Sequence, residues 1–184
     1  PGGRAGARPN RATLVYTNLV RQAFPGLPVV IGGIEASMRR ASHYDFWTDA
    51  LRRSLLFDSK ADLLVYGMGE TALLEVARRL AAAATPAPLQ GIPGTAYVLH
   101  QAPAPLPPEW QELPSHEAIL AHPPELMAAT LAIEAQVHHR APWLVQRTGT
   151  QALVLVPPPP PLDSAALDLL YSLPYTRAAH PAYR

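Results

Sequence analysis

Cysteine is absent from the 184 residues, which excludes thiolate zinc sites, iron–sulfur ligation and a thiol nucleophile within the segment. Lysine is scarce: Lys60 stands alone among 15 basic residues and arginine supplies the rest. Beside abundant alanine and proline, biased genome composition accounts for this as well as function does. An excess of one charge is also missing, since 15 Lys and Arg face 14 Asp and Glu, so no basic footprint for nucleic acid is expected. No stretch approaches the roughly 18 to 20 apolar residues of a membrane helix. The start, Pro1-Gly2-Gly3-Arg4, is no signal peptide and no initiator Met precedes it. A soluble, cytoplasmic piece of a longer protein is the expectation.

What is present suffices for one domain with an appendage: 48% of residues are hydrophobic, and at this length roughly 70% of the unfolded surface can be buried. The 22 prolines gather between Pro86 and Pro161 and mark interruptions of compact structure. Asn10 is placed to cap a helix whose Ala12, Val15, Tyr16, Leu19, Val20 and Ala23 form one apolar stripe. Pro25-Gly26 stops it. Pro28 to Ile31 then reads as a buried parallel strand ending in Gly32-Gly33. Helix-like spacing recurs from Tyr44 to Phe57 through Phe46, Trp47, Ala50 and Leu51. Leu63 to Tyr66 is a second buried strand, running into Gly67-Met68-Gly69 and a helix from about Glu70 to Ala83 with Leu73, Val76, Ala77 and Leu80 as its stripe. Thr95 to Leu99 is a third candidate strand. The alternation predicts a doubly wound parallel sheet over residues 1–100.

Beyond His100 comes a Pro-rich helical arm and hairpin over residues 101–161, with helices near 115–121 and 124–140 and strands at 143–147 and 151–156 joined around Thr148-Gly149. Pro157 to Pro161 reads as a stiff polyproline II spacer. Residues 162–184 carry a last helix, capped by Asp163 and ended by Pro174.

Two parallel strands ending in glycines bring bare backbone to the carboxyl edge of the sheet, where open α/β folds hold ligands. Glycines also make ordinary tight turns, and both readings stand. Gly67-Met68-Gly69-Glu70-Thr71-Ala72 formally fits a dinucleotide fingerprint, yet Glu70 would repel a pyrophosphate. The acid expected about 20 residues on is missing too, because residues 89–108 contain neither Asp nor Glu. His116-Glu117 with His122 fails the zinc-protease spacing, position 120 being Leu120. His138 and His139 lie about 100° apart on a helix, unsuited to a shared metal. His43-Tyr44-Asp45 offers acid–base chemistry near the first glycine turn or structural hydrogen bonding, the latter being favoured. The pairs Arg39-Arg40 and Arg52-Arg53 either bind an acidic partner or satisfy Glu35, Asp45, Asp49 and Asp58, the latter being favoured.

The run Val30-Ile31-Gly32-Gly33-Ile34-Glu35-Ala36-Ser37-Met38-Arg39-Arg40, then His43-Tyr44-Asp45-Phe46-Trp47, then Ala61-Asp62-Leu63-Leu64-Val65-Tyr66-Gly67-Met68-Gly69-Glu70, resembles the amino-terminal region of YgiQ-type radical SAM proteins. The resemblance extends to Pro1-Gly2-Gly3-Arg4-Ala5-Gly6, Leu144-Val145-Gln146-Arg147, Leu173-Pro174-Tyr175-Thr176-Arg177 and His180-Pro181, and is weakest between about Ala81 and Pro142. The two glycine-terminated strands also look like the cobalamin-binding-type, Rossmann-like domain that precedes the barrel in many radical SAM enzymes.

The resemblance implies an accessory domain whose partner is a catalytic barrel in the same polypeptide. That barrel would hold a [4Fe-4S] cluster on a CxxxCxxC-type motif and cleave S-adenosylmethionine to a radical. None of those cysteines is here, and the substrate is open. Cobalamin is disfavoured, because no Asp-x-His-x-x-Gly string supplies a lower axial ligand and the neighbours of His43 do not match. Ala166 stands where the family tends to carry a Glu completing a capping box. Candidate pocket-lining residues are Gly32, Gly33, Glu35, Gly67, Gly69 and Glu70, with Arg39 and His43 on the rim. The alternatives are a free-standing module binding a cobalamin-like or nucleotide ligand, and an interaction domain that clamps a partner with its Pro-rich arm.

Overall fold

The computed structural model describes residues 6–82, 88–139 and 142–179. In chain order the elements are α1 (Ala12–Ala23), β1 (Val30–Ile31), α2 (Gly33–Met38), β2 (His43–Asp45), β3 (Ala50–Arg52), α3 (Leu55–Ser59), β4 (Leu63–Val65) and α4 (Glu70–Ala82). They continue as β5 (Thr95–Leu99), β6 (Trp110–Glu112), α5 (His116–Ala121), α6 (Glu125–His139), β7 (Trp143–Thr148), β8 (Gln151–Leu155) and α7 (Ser164–Ser172). Six strands form one sheet in the order β1-β4-β5-β8-β7-β6, and β2 and β3 pair separately.

Alternation along the strands sorts side chains to two faces. Leu64, Tyr66, Ala96, Leu153 and Leu155 point to one layer, where they meet Ile31, Ala36, Leu55, Leu56 and Ile133. Leu63, Val65, Tyr97, Val154 and Val156 point to the other, against Ala72 and Val76 of α4, Ile92 and the Pro-flanked Leu89, Ala102 and Leu106. Helices therefore cover both faces, as expected of an α/β fold. Gln136 and Gln146 are the largest fully buried polar side chains among the described residues. Gln136 Nε2 donates to Pro142 O and Leu155 O, each at 3.0 Å, and the Tyr66 hydroxyl donates to Gln136 Oε1 at 3.3 Å. Gln146 accepts from Ser42 N at 2.8 Å and donates to Pro114 O at 3.0 Å.

The sheet is mixed where a parallel one was predicted. β1 with β4 and β6 with β7 are parallel, but β4–β5, β5–β8 and β7–β8 are antiparallel. The hairpin expected in an appendage sits inside the sheet: β8 pairs with β5 from Ala96↔Leu155 to Leu99↔Ala152. Four consecutive buried residues, Ala152 to Leu155, require cover on both faces, and β8 lies between β5 and β7 in the covered part of the sheet. The helix predicted over residues 44–57 is instead the β2–β3 hairpin followed by the short α3. The β6 strand was not anticipated.

Two helices bury other stripes than predicted. On α1 it is Leu14 and Thr17 that turn inward, leaving Tyr16 46% and Leu19 54% exposed. On α4 Val76 is buried as predicted, but Ala72 joins it in place of Leu73 and Leu80, which are 52% and 37% exposed. The Asn10 cap is also replaced: no side chain of the flanking residue caps α1, and Glu35 Oε2 accepts from the Thr13 amide at 2.9 Å and the Thr13 hydroxyl at 2.8 Å. The Asp163 cap is as expected, with Asp163 accepting from Ala166 N at 2.8 Å. The predicted helix ends at Ala83 and Arg140, the Pro1 to Ala5 segment, the His139 side chain and His180-Pro181 lie outside the described residues.

Candidate functional site

Parallel pairing of β1 with β4, Val30↔Leu63 and Ile31↔Leu64, fixes where the two glycine turns go. Both strands end at the same edge, so Gly32-Gly33 and Gly67-Met68-Gly69 are neighbours across it. Each glycine has its own physical reason. A Cβ on Gly32 would lie 3.4 Å from Val65 O, and one on Gly69 3.1 Å from Val65 Cγ1, so these two allow close packing onto the end of β4. Gly33 and Gly67 have φ of +83° and +67° with nothing within 4 Å of an added Cβ. Their requirement is conformational, and they face open space. Exposed apolar side chains surround the turns: Ile34 is 79% exposed, Met38 75% and Met68 64%.

Glu35 and Arg39, predicted to line a pocket and its rim, are drawn into an ion-pair network. Arg39 Nη1 donates to Glu35 Oε1 at 2.9 Å while the other oxygen of Glu35 caps α1. Asp45, whose side chain is wholly buried, is the hub. It accepts from Arg11, with Arg39 Nη2 and Arg52 Nε each at 3.5 Å, and from the Thr48 hydroxyl at 2.6 Å. Burial would raise the Asp45 pKa, but the Thr48 and Arg11 hydrogen bonds and the charges of Arg11 and Arg39 outweigh it and draw it down to about 2. Asp58 takes Arg53 at 2.9 Å and Arg52 at 3.7 Å. Three of the four paired arginines thus satisfy nearby acids, whereas Asp49 accepts from the Tyr44 hydroxyl at 2.7 Å.

His43 lines a cavity of about 380 Å³ between residues 38–44 and α6. Its Nδ1 lies 3.1 Å from Ala41 O, and since a carbonyl only accepts, that nitrogen carries the proton. Burial, reinforced by Arg39 and Arg52 and opposed by the Ala41 bond and Asp45, keeps the ring below its ordinary pKa and neutral at pH 7. Glu70 opens α4 and borders two hollows: one of about 370 Å³ with Tyr171 and Tyr175, another of about 320 Å³ with Gly67 and Pro158 to Pro161. Val137 and His138 border both the second hollow and the His43 cavity, so the three spaces adjoin along the edge.

Among the described residues no group of three His, Asp or Glu side chains is placed to hold a metal ion. His116 Nδ1 is instead 3.0 Å from Ser42 Oγ, and Glu117 accepts from Gly149 N at 2.8 Å. Sequence reasoning passed over Asp45 as a hub, because its partners come from residues 11, 39, 48 and 52 and only one is within three positions. It also passed over Arg40 as a separate case from Arg39; a helical i, i+4 count from Glu35 to Arg39 was the available signal.

Fold and edge define a mixed-sheet α/β domain that offers backbone turns and apolar side chains at its rim, behind which charged residues largely neutralise one another. The family described as Radical SAM N-terminal matches residues 1–184. A UPF0313 protein of Geobacter sulfurreducens is 50% identical over 184 residues, covering 100% of this chain and 30% of that protein. One from Thermotoga maritima is 45% identical over 187 residues, with 100% of this chain and 32% of that protein covered. One from Bradyrhizobium diazoefficiens is 43% identical over 206 residues, with 99% and 30% covered. No solved structure matches the chain. The chain belongs to the Radical SAM N-terminal family and corresponds to the N-terminal domain of UPF0313, or YgiQ-type, proteins. It spans about 30% of the length of the curated relatives named here.

Proposed function

We propose that this domain works as a lid: the glycine edge and its exposed apolar rim seat on a radical SAM barrel in the same polypeptide, shaping and drying the entrance to the reaction. The observation that carries the reading is the β1–β4 pairing, which puts two open turns side by side within a rim of uncovered Ile34, Met38 and Met68. Exposed Phe46 and Trp47, with ring centroids 4.6 Å apart at the β2–β3 tip, extend the apolar surface. Large exposed apolar side chains in such number mark surfaces that another body covers.

The [4Fe-4S] cluster implied for the full-length family does not fit this chain. Iron–sulfur ligation needs thiolates and the sequence has no cysteine. Cluster and S-adenosylmethionine therefore belong to the barrel in this reading, and nothing here holds them. Work in the cytoplasm accords with that reductive chemistry; no helix among the described residues is long and apolar enough to cross a membrane. The second reading, a module binding a cobalamin-like or nucleotide ligand, draws on the empty space at Gly33 and Gly67. The mixed sheet, the Glu70 carboxylate at the start of α4 and the absence of an axial-ligand string weigh against it.

The test is the double variant Phe46→Asp with Trp47→Asp in the full-length protein. Both side chains are exposed, so the fold survives, while two charges at the interface cost its docking. The expected result is full cluster content with 5′-deoxyadenosine formation at least tenfold lower. Wild-type formation by the variant refutes the lid, and saturable cobalamin or adenine-nucleotide binding by the 184-residue chain establishes the module instead.

A further inference from the structure

Arginines close to the sheet edge are nearly all matched by acids. Arg11, Arg39 and Arg52 converge on Asp45, and Arg53 meets Asp58. Arg40 differs: among the described residues no carboxylate lies within ion-pair distance of it. Its Nη1 donates to Ser37 O at 2.6 Å and its guanidinium carbon sits 4.8 Å from the Tyr66 ring centroid. Its Nε is buried without a partner. Arg11, Arg21 and Arg52 share that last feature, but each of them has a carboxylate. A half-buried guanidinium held by a π face and one carbonyl has lost water without gaining an anion.

Arg40 borders the 380 Å³ cavity that His43 also lines. We propose that this cavity binds a small monocarboxylate carried on an apolar stem, with Arg40 gripping the carboxylate and Met38, Ile133 and Val137 receiving the stem. The planar fork of arginine matches a carboxylate with two parallel hydrogen bonds, stronger for a half-buried guanidinium than for one fully in water. Arg40 is the permanent cation on the lining: His43 is neutral with its proton committed to Ala41 O, and His138 on the α6 wall faces Glu134, so the site favours a monoanion over a phosphate dianion. Glu134, the acid on the cavity's α6 wall, lies 3.7 Å from His138 Nε2. Burial lowers the Arg40 pKa, with Tyr66 acting the other way, yet a guanidinium remains charged at neutral pH. The walls of the site lie within this chain, and of the rim residues in the lid reading it shares Met38.

The experiment is isothermal titration of the full-length protein with hexanoate, hexanol and inorganic phosphate. Hexanoate is expected to saturate one site and to bind at least tenfold more tightly than either of the others. Arg40→Met should weaken hexanoate at least tenfold and leave hexanol unchanged. Should that variant fail to fold, Thr130→Trp decides: Thr130 is an exposed α6 residue lining the cavity, and the indole fills the space while the helix tolerates it. Absence of hexanoate binding overturns the proposal, as does equal binding of hexanol, phosphate as tight as hexanoate, or unchanged affinity in folded Arg40→Met or Thr130→Trp.

Discussion

Replacing Asp45 by Asn removes one negative charge while nearly preserving shape, and it leaves Arg11, Arg39 and Arg52 facing one another without their common anion. Two routes give the cost. A carboxyl drawn from 3.8 to about 2 gains about 2 kcal/mol in its ionised form at neutral pH. Breaking a buried ion pair by removing one partner costs about 3–5 kcal/mol, and here the arginines keep partial access to water, their side chains being 24%, 14% and 35% exposed. A loss of about 2–3 kcal/mol is the expectation, equivalent to a Tm lower by about 5–10 °C for a domain this size. The pH dependence carries the sign. The folded pKa lies below the unfolded one, so ionised Asp45 stabilises the fold above about pH 4 and that contribution drains away as pH falls from about 4 to about 2. Urea unfolding of the 184-residue chain and of Asp45→Asn, followed by circular dichroism at several pH values, should show the gap between them widest at pH 7 and closing across that window. A gap below about 0.5 kcal/mol at pH 7, or one that does not shrink in acid, refutes the hub.

Gln146→Leu strands the buried Ser42 amide and Pro114 carbonyl and should cost about 2 kcal/mol or more in urea unfolding. Gly67→Ala forces a residue with a Cβ to a φ of +67° in open space, worth about 1–2 kcal/mol. Gly94→Ala bears the same strain at +75° and adds a contact of 3.1 Å with Pro159 Cδ, so it should be the more destabilising of the two by the same assay. Glu35→Ala removes the cap of α1 together with the Arg39 bridge; a loss of about 1–2 kcal/mol is expected, with faster amide exchange in the first turn of α1.

How much of this was legible depends on the range over which each feature is decided. Where neighbours within four or five positions settle the matter, the residues spoke clearly: Leu63 to Val65 as a buried strand, Glu70 onward as a helix, the turn at Gly149, the Asp163 cap. The stretch from Tyr44 to Phe57 shows where this fails. Phe46, Trp47, Ala50 and Leu51 fall at helical offsets, yet two of the four are aromatic rings exposed at a hairpin tip, while Asp45 is held inward by Arg11 just before α1, Arg39 just after α2 and Arg52 of β3. An ionic hub with one partner 34 residues away has no periodicity to detect. Strand order fails for the same reason. The β5–β8 pairing joins segments separated by more than fifty positions, and a parallel sheet was the natural inference from an alternation that the hairpin then interrupts.

The misplaced stripes on α1 and α4 lead back to function. Amphipathic spacing shows that Val15, Tyr16, Leu19 and Val20 share a face, and the structure agrees that they do; it is the direction of that face that differs, since Leu14 and Thr17 take the inward side. A periodic apolar face must be covered by something, but periodicity is silent about whether the cover is the helix's own domain. In this chain α1 fits its domain through a narrow inner side and an arginine–aspartate tie, Arg21 to Asp62 at 2.9 Å, and turns its wider apolar side outward. The candidate site divides along the same line. The glycines were legible because backbone geometry demands them locally, whereas Glu35 and Arg39 were read as pocket residues when their partners, Thr13 and Asp45, hold them in the frame. What reaches the open edge is mostly backbone and apolar surface, with Arg40, His43 and Glu70 on the walls of the hollows that adjoin it.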